Sequence, residues 1–339
     1  MPRSGSEFKA VLAPWGASRY NFSRAAAHES CVPQRLSSVC PGFGPQAEQR
    51  QLCVPIEPLL PQAALKWRKG ADGSSLDDAY VMYKPEALAC SQKFARFVYV
   101  DLGAEHYPSS VGGWFKRRYP NHAAFEVIAF EADPYKNGVH ADPTGWLTRH
   151  RDVQMLPFGV WTHNSTTEFI SEGFGAHLTG EQHLLSKVAD LAGKQSGQAG
   201  GGGGGAAANK PPGENVLCAG PRCWLNQYSD PRQHKRLVRV QTLDLAEFLR
   251  RRVTEDDFVV VKLDCEGAEY ALVPHLIASG VAPLIDEFFV EVHAPPPGGG
   301  QPAEQFAKRM PLAAGQSEQS AVELVAAARK AGMYAHQWV

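Results

Sequence analysis

The chain has 339 residues, of which 44% are hydrophobic and 20% charged, so it contains enough apolar side chains for a sizeable globular core. Its 34 lysines and arginines nearly balance its 35 aspartates and glutamates, and a net charge of −1 argues against the broad basic surface of a nucleic-acid-binding protein. No stretch approaches the roughly 20 continuous apolar residues of a membrane-spanning helix, and no CxxC pair indicates a zinc site. We therefore expect neither a nucleic-acid partner nor a membrane segment.

Residues 1–93 contain scattered prolines and few periodic segments, which predicts an irregular, partly disordered N-terminal extension. The absence of a continuous apolar leader favours a cytoplasmic location. A Golgi-type secretory lumen is the alternative if the N-terminus is incomplete, because sequons at Asn21 and Asn164 would matter only there.

Residues 94–339 alternate short apolar runs with helical patterns, interrupted by a glycine-rich insertion at about 173–236 that cannot bury a core. The predicted elements, in chain order, are strand 97–100, helix 111–119 capped by Ser109 or Ser110, strands 127–130, 153–160, 166–170 and 237–241, a helix capped by Asp244, strand 258–261, helix 270–278, strand 285–292, helix 318–330 and strand 333–338. This alternation is typical of an α/β protein with a Rossmann-like, doubly wound, mostly parallel sheet. Such sheets bind ligands at the carboxyl ends of their strands.

The first candidate site motif is Asp101-Leu-Gly103-Ala104, directly after the first predicted strand of this domain. Glycine lets the backbone approach an adenosyl ligand closely, and the Asp101 carboxylate would help hold the amino-acid part of such a ligand. The motif lacks the glycine triplet that cradles a pyrophosphate, which argues against a dinucleotide enzyme. A plain strand-to-turn transition is the alternative reading of this motif.

Glu131 ends the next strand and is followed by Asp133. An acid at this position can accept hydrogen bonds from both ribose hydroxyls, as it does in dinucleotide-binding folds. The alternative for Glu131 is a surface carboxylate in a turn. Asp133 is assigned either to the cofactor or to a cap of the turn.

The most specific motif is the block KLDCEGAE, residues 262–269, which crowds three acids and a lysine at the end of a predicted central strand. Buried charges are costly unless they are paired or needed, so this block indicates a site. If the strand continues that far, Asp264 and Glu266 point to opposite faces. Asp264 is a conceivable metal ligand, but no dedicated ligand cluster accompanies it and no metal is predicted.

The following strand ends in Glu291-Val-His293. Histidine is a plausible general base near neutral pH, which would suit a hydroxyl acceptor, and a structural histidine is the equal alternative. Asp264 is the other candidate for the base, since both residues follow adjacent strands.

The blocks VYVDLGA, FEVIAFEADP, LPFGVW, VQTLDLAEFL, FVVVKLDCEGAEY and FFVEVH, in this order, resemble those of FkbM-type methyltransferases, particularly a plant-type branch. The resemblance runs from about residue 94 to the C-terminus. It implies an enzyme that transfers a methyl group from S-adenosylmethionine to a hydroxyl of a sugar, glycan or other small metabolite. The residues that it assigns to the cofactor are Asp101, Gly103, Ala104, Glu131 and Asp133, and those near the acceptor and catalysis are Asp264, Glu266 and His293.

The turn after Ala104 departs from the family pattern, because Glu105-His-Tyr-Pro-Ser-Ser precedes Val111 where Asn and Gly are usual. This departure supports a rival interpretation, a catalytically degenerate binding or scaffold protein with the same fold. An NAD-dependent oxidoreductase is a further alternative, but it leaves the KLDCEGAE block unexplained.

Overall fold

The computed structural model describes residues 31–35, 51–57, 59–61, 94–105, 107, 110–119, 121–134, 136–137, 149–171, 177–178, 236–295, 306–307 and 310–338. The strands are β1 (Cys31–Arg35), β2 (Gln51–Pro55), β3 (Phe97–Leu102), β4 (Phe125–Phe130), β5 (Val153–Leu156), β6 (Gly159–Trp161), β7 (Ser165–Ser171), β8 (His177–Leu178), β9 (Arg236–Asp244), β10 (Phe258–Leu263), β11 (Glu287–Glu291) and β12 (Tyr334–Trp338). The longer helices are α1 (Leu245–Arg252), α2 (Glu269–Ala278) and α3 (Glu318–Lys330). Short helical turns occupy Val111–Phe115, Lys116–Arg118, His122–Ala124, Ala282–Leu284 and Pro311–Ala313.

Six strands form the central sheet in the order β12-β11-β10-β3-β4-β5, and every neighbouring pair is parallel. β1 and β2 form a separate antiparallel pair, and β6, β9, β7 and β8 form a small second sheet. The sequence-based expectation of a Rossmann-like α/β fold is therefore confirmed. Since parallel strands share a direction, the carboxyl ends of β11, β10, β3 and β4 lie side by side at one edge.

Side chains alternate between two buried layers along each central strand, as a pleated strand requires. Val98, Val100 and Leu102 of β3 pack into the layer that α1, α2 and α3 cover. Tyr99 belongs to the opposite layer, where the helical turns of residues 111–118 contribute Trp114 and Phe115. Both faces of the sheet are thus buried, which explains why β10 is apolar at five of its six positions, Lys262 excepted.

Most predicted elements lie where the sequence placed them. The strand predicted at residues 153–160, with an interruption at Pro157, is divided there into β5 and β6, which join different sheets because proline interrupts the ladder. Ser110 caps no helix with its side chain, because its hydroxyl bonds Asp101 instead. Ser109, the other predicted cap, lies outside the described residues. The glycine-rich insertion lies almost wholly outside the described residues. None of the helices in the described ranges is both long and apolar enough to cross a bilayer.

Helix α1 begins as the sequence predicts, because the Asp244 carboxylate accepts hydrogen bonds from the backbone N–H groups of Ala246 and Glu247. The same carboxylate lies 2.9 Å from His275 Nε2 on α2. This contact and the backbone donors hold the pKa of Asp244 below its usual value, although burial alone would raise it. Asp244 thus joins the start of α1 to α2.

A short N-terminal segment is fastened to the edge strand of the sheet. The backbone of Leu60 exchanges two hydrogen bonds with the Gln337 side chain of β12, at 2.7 and 2.8 Å. Glu57 is 1% exposed and accepts hydrogen bonds from Arg329 Nη2, at 2.9 Å, and from His336 Nδ1, at 3.1 Å. We call Glu57, Arg329 and His336 the edge clasp. It fixes Glu57 against the sheet.

Candidate active site

The candidate site lies at the carboxyl ends of four adjacent central strands. Asp101 lies near the end of β3 and Gly103 follows that strand, Glu131 follows β4, and the block 262–269 begins at the end of β10. His293 follows β11 by two residues. The sheet order therefore brings together residues that are up to 192 positions apart in the sequence, counting from 101 to 293.

Gly103 is required by the contact between β3 and β10. Its φ is +81°, and a Cβ at this position would lie 1.8 Å from the backbone oxygen of Asp264. Only glycine fits so close an approach with a left-handed backbone. Its N–H and that of Ala104 both donate to the Phe130 carbonyl, at 3.1 and 2.9 Å, which ties the turn to β4. The turn after β3 thus touches the turns after both neighbouring strands.

Asp101 is fully buried at the end of β3. Its Oδ2 accepts hydrogen bonds from the Tyr99 hydroxyl, at 3.1 Å, and from the Ser110 hydroxyl. Its Oδ1 is buried and has no hydrogen-bond partner among the described residues. Burial raises the pKa of Asp101 above its usual value, against the opposing effects of Lys262 and these donors. A buried carboxylate oxygen without a donor is costly, so Oδ1 is suited to a donor from a bound molecule.

Glu131 is 6% exposed and accepts two backbone hydrogen bonds of 2.7 Å, from Asp133 to Oε1 and from Glu105 to Oε2. Each carboxylate oxygen has a further lone pair for a ligand hydroxyl. Burial raises the pKa of Glu131 to about 7, although Lys136 and the backbone donors act in the opposite direction. The alternative interpretation of Glu131 as a surface carboxylate is excluded, because the side chain is buried.

Asp133 is also buried, but its carboxylate is directed towards the protein. Its Oδ2 accepts a hydrogen bond of 2.7 Å from the Ser171 hydroxyl at the end of β7. Its backbone oxygen accepts from the N–H groups of Lys136 and Asn137, both at 2.9 Å. These contacts join the turn after β4 to the second sheet and favour the turn-holding interpretation of Asp133.

His293 stands among four carboxylates from β11, the turn after β10 and the first residue of α2. Its Nδ1 lies 3.2 Å from Glu269 Oε1. Its Nε2 lies 3.5 Å from Glu266 Oε2 and 3.9 Å from both Asp264 Oδ1 and Glu291 Oε1. We call these five residues the His293 cluster. The strand β10 ends at Leu263, so the condition under which Asp264 and Glu266 would point to opposite faces is not met, and both face His293.

The charged groups of the His293 cluster shift one another's pKa values. Burial disfavours the imidazolium, but Glu269, Asp264 and Glu266 outweigh it and raise the pKa of His293 to about 10. Burial and the Asp264 charge raise the pKa of Glu291 to about 7. Burial would also raise the pKa of Asp264, but Lys262, 3.0 Å from its Oδ2, and His293 hold that pKa below its usual value. His293 is therefore a cation near neutral pH.

Glu269 shapes the turn that presents the cluster. It is fully buried, and its carboxylate accepts hydrogen bonds from the backbone N–H groups of Cys265 and Gly267, at 2.8 and 2.9 Å. Glu266 adopts a positive φ of 52° inside this turn. Sequence reasoning assigned no role to Glu269 or Glu291, although the motifs KLDCEGAE and Glu291-Val-His293 contain them. The burial of Glu269 beside His293 depends on strand order, which no local pattern gives.

Comparison with known protein families agrees with this geometry. The Methyltransferase FkbM domain matches residues 101–319, which includes the ends of β3, β4, β10 and β11. No curated protein and no solved structure gave a significant match. Because the match spans more than half of the chain and contains every predicted site residue, the chain belongs to the FkbM methyltransferase family.

Proposed function

We propose that this protein transfers a methyl group from S-adenosylmethionine to a hydroxyl of a sugar or other small metabolite. The observation that carries the proposal is the pairing of the buried Asp101, which has one oxygen without a partner among the described residues, with the buried Glu131 on the next strand. One acid suits the ammonium of an amino-acid moiety, and the other suits the two hydroxyls of a ribose.

The residues present fit this cofactor. Gly103 keeps the backbone at the end of β3 free of a side chain, and Ala104 is small and fully buried beside it. Asp101 would receive the cofactor's ammonium, and Glu131 its ribose hydroxyls. Asp133 would act mainly by holding the turn that carries Glu131, given its bond to Ser171.

S-adenosylmethionine supplies a methyl group activated by a positive sulfonium. The protein must then hold the acceptor oxygen in line with that methyl and the sulfur, and orientation alone contributes roughly 7–11 kcal/mol in well-aligned systems. The His293 cluster is suited to the acceptor side, because Asp264, Glu266 and Glu291 are each about a quarter exposed. An acceptor hydroxyl can therefore reach them.

The acceptor's proton must leave as the new O–C bond forms, and Asp264 and His293 are the groups proposed to control it. Asp264 accepts a hydrogen bond from Lys262 at Oδ2, and its Oδ1 faces His293 in the cluster. His293 is held by Glu269 and directs Nε2 to the same place. Glu266 lines this space and contacts the same nitrogen.

The test is turnover by Asp264→Asn and His293→Ala variants with a panel of hydroxyl acceptors. Each variant is expected to lower kcat by about 10²–10⁴-fold, the usual contribution of acid–base catalysis, while S-adenosylmethionine affinity stays within a few-fold. Glu323→Gln, an exposed carboxylate on α3, is the control and should keep full activity.

Full turnover in both site variants, with unchanged cofactor affinity, would contradict the proposed roles. Cofactor binding by the parent protein without methyl transfer to any acceptor would favour the degenerate scaffold instead.

A further inference from the structure

We propose that Asp264, Glu291 and His293 form a binding site for a divalent metal ion, Mn²⁺ or Mg²⁺, at the ends of β10 and β11. One ligand atom from each residue lies within 4.8 Å of the other two. Oxygen and nitrogen ligands stand roughly 2.0–2.4 Å from such ions, so atoms on opposite sides are separated by about 4–5 Å. The three side chains thus already lie within the span of one coordination shell.

The orientation of His293 favours a metal over a direct ion pair. Its Nδ1 is engaged by Glu269, which leaves Nε2 to face Asp264 Oδ1 and Glu291 Oε1, each 3.9 Å away. That distance is too long for a hydrogen bond but is bridged by an ion about 2.1 Å from each atom. A carboxylate behind a metal-binding histidine is the usual arrangement that fixes the ring, and Glu269 is so placed.

A buried oxygen without a hydrogen-bond donor supplies a further observation. Glu266 Oε2 lies 3.5 Å from His293 Nε2 and forms no hydrogen bond within the described part of the chain. A buried carboxylate oxygen without a donor favours a cation beside it.

The balance of charge at this edge of the sheet also favours a bound cation. The carboxylates at this edge outnumber Lys262 by five to one, the acids being Asp101, Asp264, Glu266, Glu269 and Glu291. His293 would bind the ion through the neutral form of Nε2 and release its proton. Two carboxylates and one imidazole suit Mn²⁺ or Mg²⁺ better than a thiolate-seeking ion. The three ligand residues are 11–27% exposed, which gives an ion a path from solvent.

The ion's role rests on the proposed function, whereas its binding does not. A divalent ion held by Asp264, Glu291 and His293 would lower the pKa of an acceptor hydroxyl beside it, and the proton would then be released to water. The oxygen then forms the O–CH₃ bond while the S–CH₃ bond breaks. The electron pair of the broken S–CH₃ bond stays on sulfur. The products are the methyl ether, the neutral thioether and one proton.

The experiment is a titration of the chelator-treated full chain with MnCl₂, followed by the electron paramagnetic resonance signal of free Mn²⁺. We expect one Mn²⁺ per parent chain, at least tenfold weaker binding by Asp264→Asn and Glu291→Gln, and unchanged binding by Glu323→Gln. Circular dichroism checks that every variant is folded. Competition by MgCl₂ tests whether the smaller ion occupies the same site.

A folded parent chain that takes up no Mn²⁺ would overturn the proposal. Mn²⁺ uptake that Asp264→Asn and Glu291→Gln leave unchanged would overturn it equally, since the ion would then sit elsewhere. Calorimetry with S-adenosylmethionine on the same samples separates the two proposals. Mn²⁺ binding without cofactor binding would support the metal site and contradict the proposed function. Cofactor binding without Mn²⁺ binding would support the proposed function and contradict the metal site.

Discussion

Replacing Gly103 by alanine is expected to lower the free energy of unfolding by about 3–5 kcal/mol, among the largest effects of any single substitution in this chain. The new Cβ would lie 1.8 Å from the Asp264 carbonyl oxygen, so β3 and the turn after β10 must separate. The positive φ of 81° adds a backbone penalty of about 1–2 kcal/mol for any residue with a Cβ. Equilibrium denaturation by urea measures the change.

Gly280→Ala is the matched control for this substitution. Gly280 also has a positive φ, of 69°, but an added Cβ there would meet nothing within 4 Å. The control should therefore show only the backbone penalty of about 1–2 kcal/mol. Equal destabilisation of the two variants would show that the contact between Gly103 and Asp264 is not tight, and the close approach of the two turns would have to be abandoned.

Replacing Glu57 by glutamine is expected to lower the free energy of unfolding by about 3–5 kcal/mol, because it removes the negative charge that faces the buried Arg329 and His336. Arg329 and His336 are 3% and 0% exposed, and Glu57 is the carboxylate that both contact. The substitution keeps the size of the side chain, so it tests charge and not packing. The unfolding midpoint in urea is the measurement.

The Glu57 effect should depend on pH in a defined direction. Burial of Glu57 would raise its pKa, but His336 and Arg329 hold that pKa below 4.5. The ionised Glu57 therefore stabilises the fold above pH 4.5, and this stabilisation is lost as the solution becomes more acidic. Burial of His336 would lower its pKa, but Glu57 and Glu287 raise that pKa above 6.5. The protonated His336 therefore stabilises the fold below that pH, and this stabilisation is lost as the pH rises through the raised value. The difference between parent and variant is therefore expected to be largest between the two ordinary values.

Glu247→Gln is the control for the edge clasp. Glu247 also pairs with an arginine, Arg251, but both side chains are exposed, at 38% and 78%. Exposed pairs of this kind contribute about 0–1 kcal/mol. If Glu57→Gln costs no more than Glu247→Gln, the edge clasp does not fasten Glu57 to the sheet.

The fold was largely predictable because its signals are local. The apolar run that became β10, the acid that caps α1 and the strand-ending Asp101 each depend on a few neighbouring residues. Two details depend on tertiary contacts that a local pattern does not give. Ser110 bonds Asp101 rather than a helix N-terminus, and the turn after Leu263 places Asp264 and Glu266 on the same side.

The site residues were named from the sequence, but their relations to one another were not. Asp101, Glu131, Asp264 and His293 meet because β4, β3, β10 and β11 are neighbours, and strand order cannot be seen in a single strand's pattern. The edge clasp was missed for the same reason, since Glu57 and His336 are separated by 279 positions. Sequence identifies the groups, and topology determines which of them interact.

S-adenosylmethionine is proposed to bind between Asp101 and Glu131. The most direct measurement is calorimetric titration of the full chain with S-adenosylmethionine, S-adenosylhomocysteine and NAD at about pH 8.5, above the pKa of about 7 that burial gives Glu131. Glu131→Ala is the test variant and Glu323→Gln the control. We expect micromolar binding of both adenosyl compounds, at least about tenfold weaker binding by Glu131→Ala, and no binding of NAD. No binding of either adenosyl compound to the folded parent chain would contradict the account.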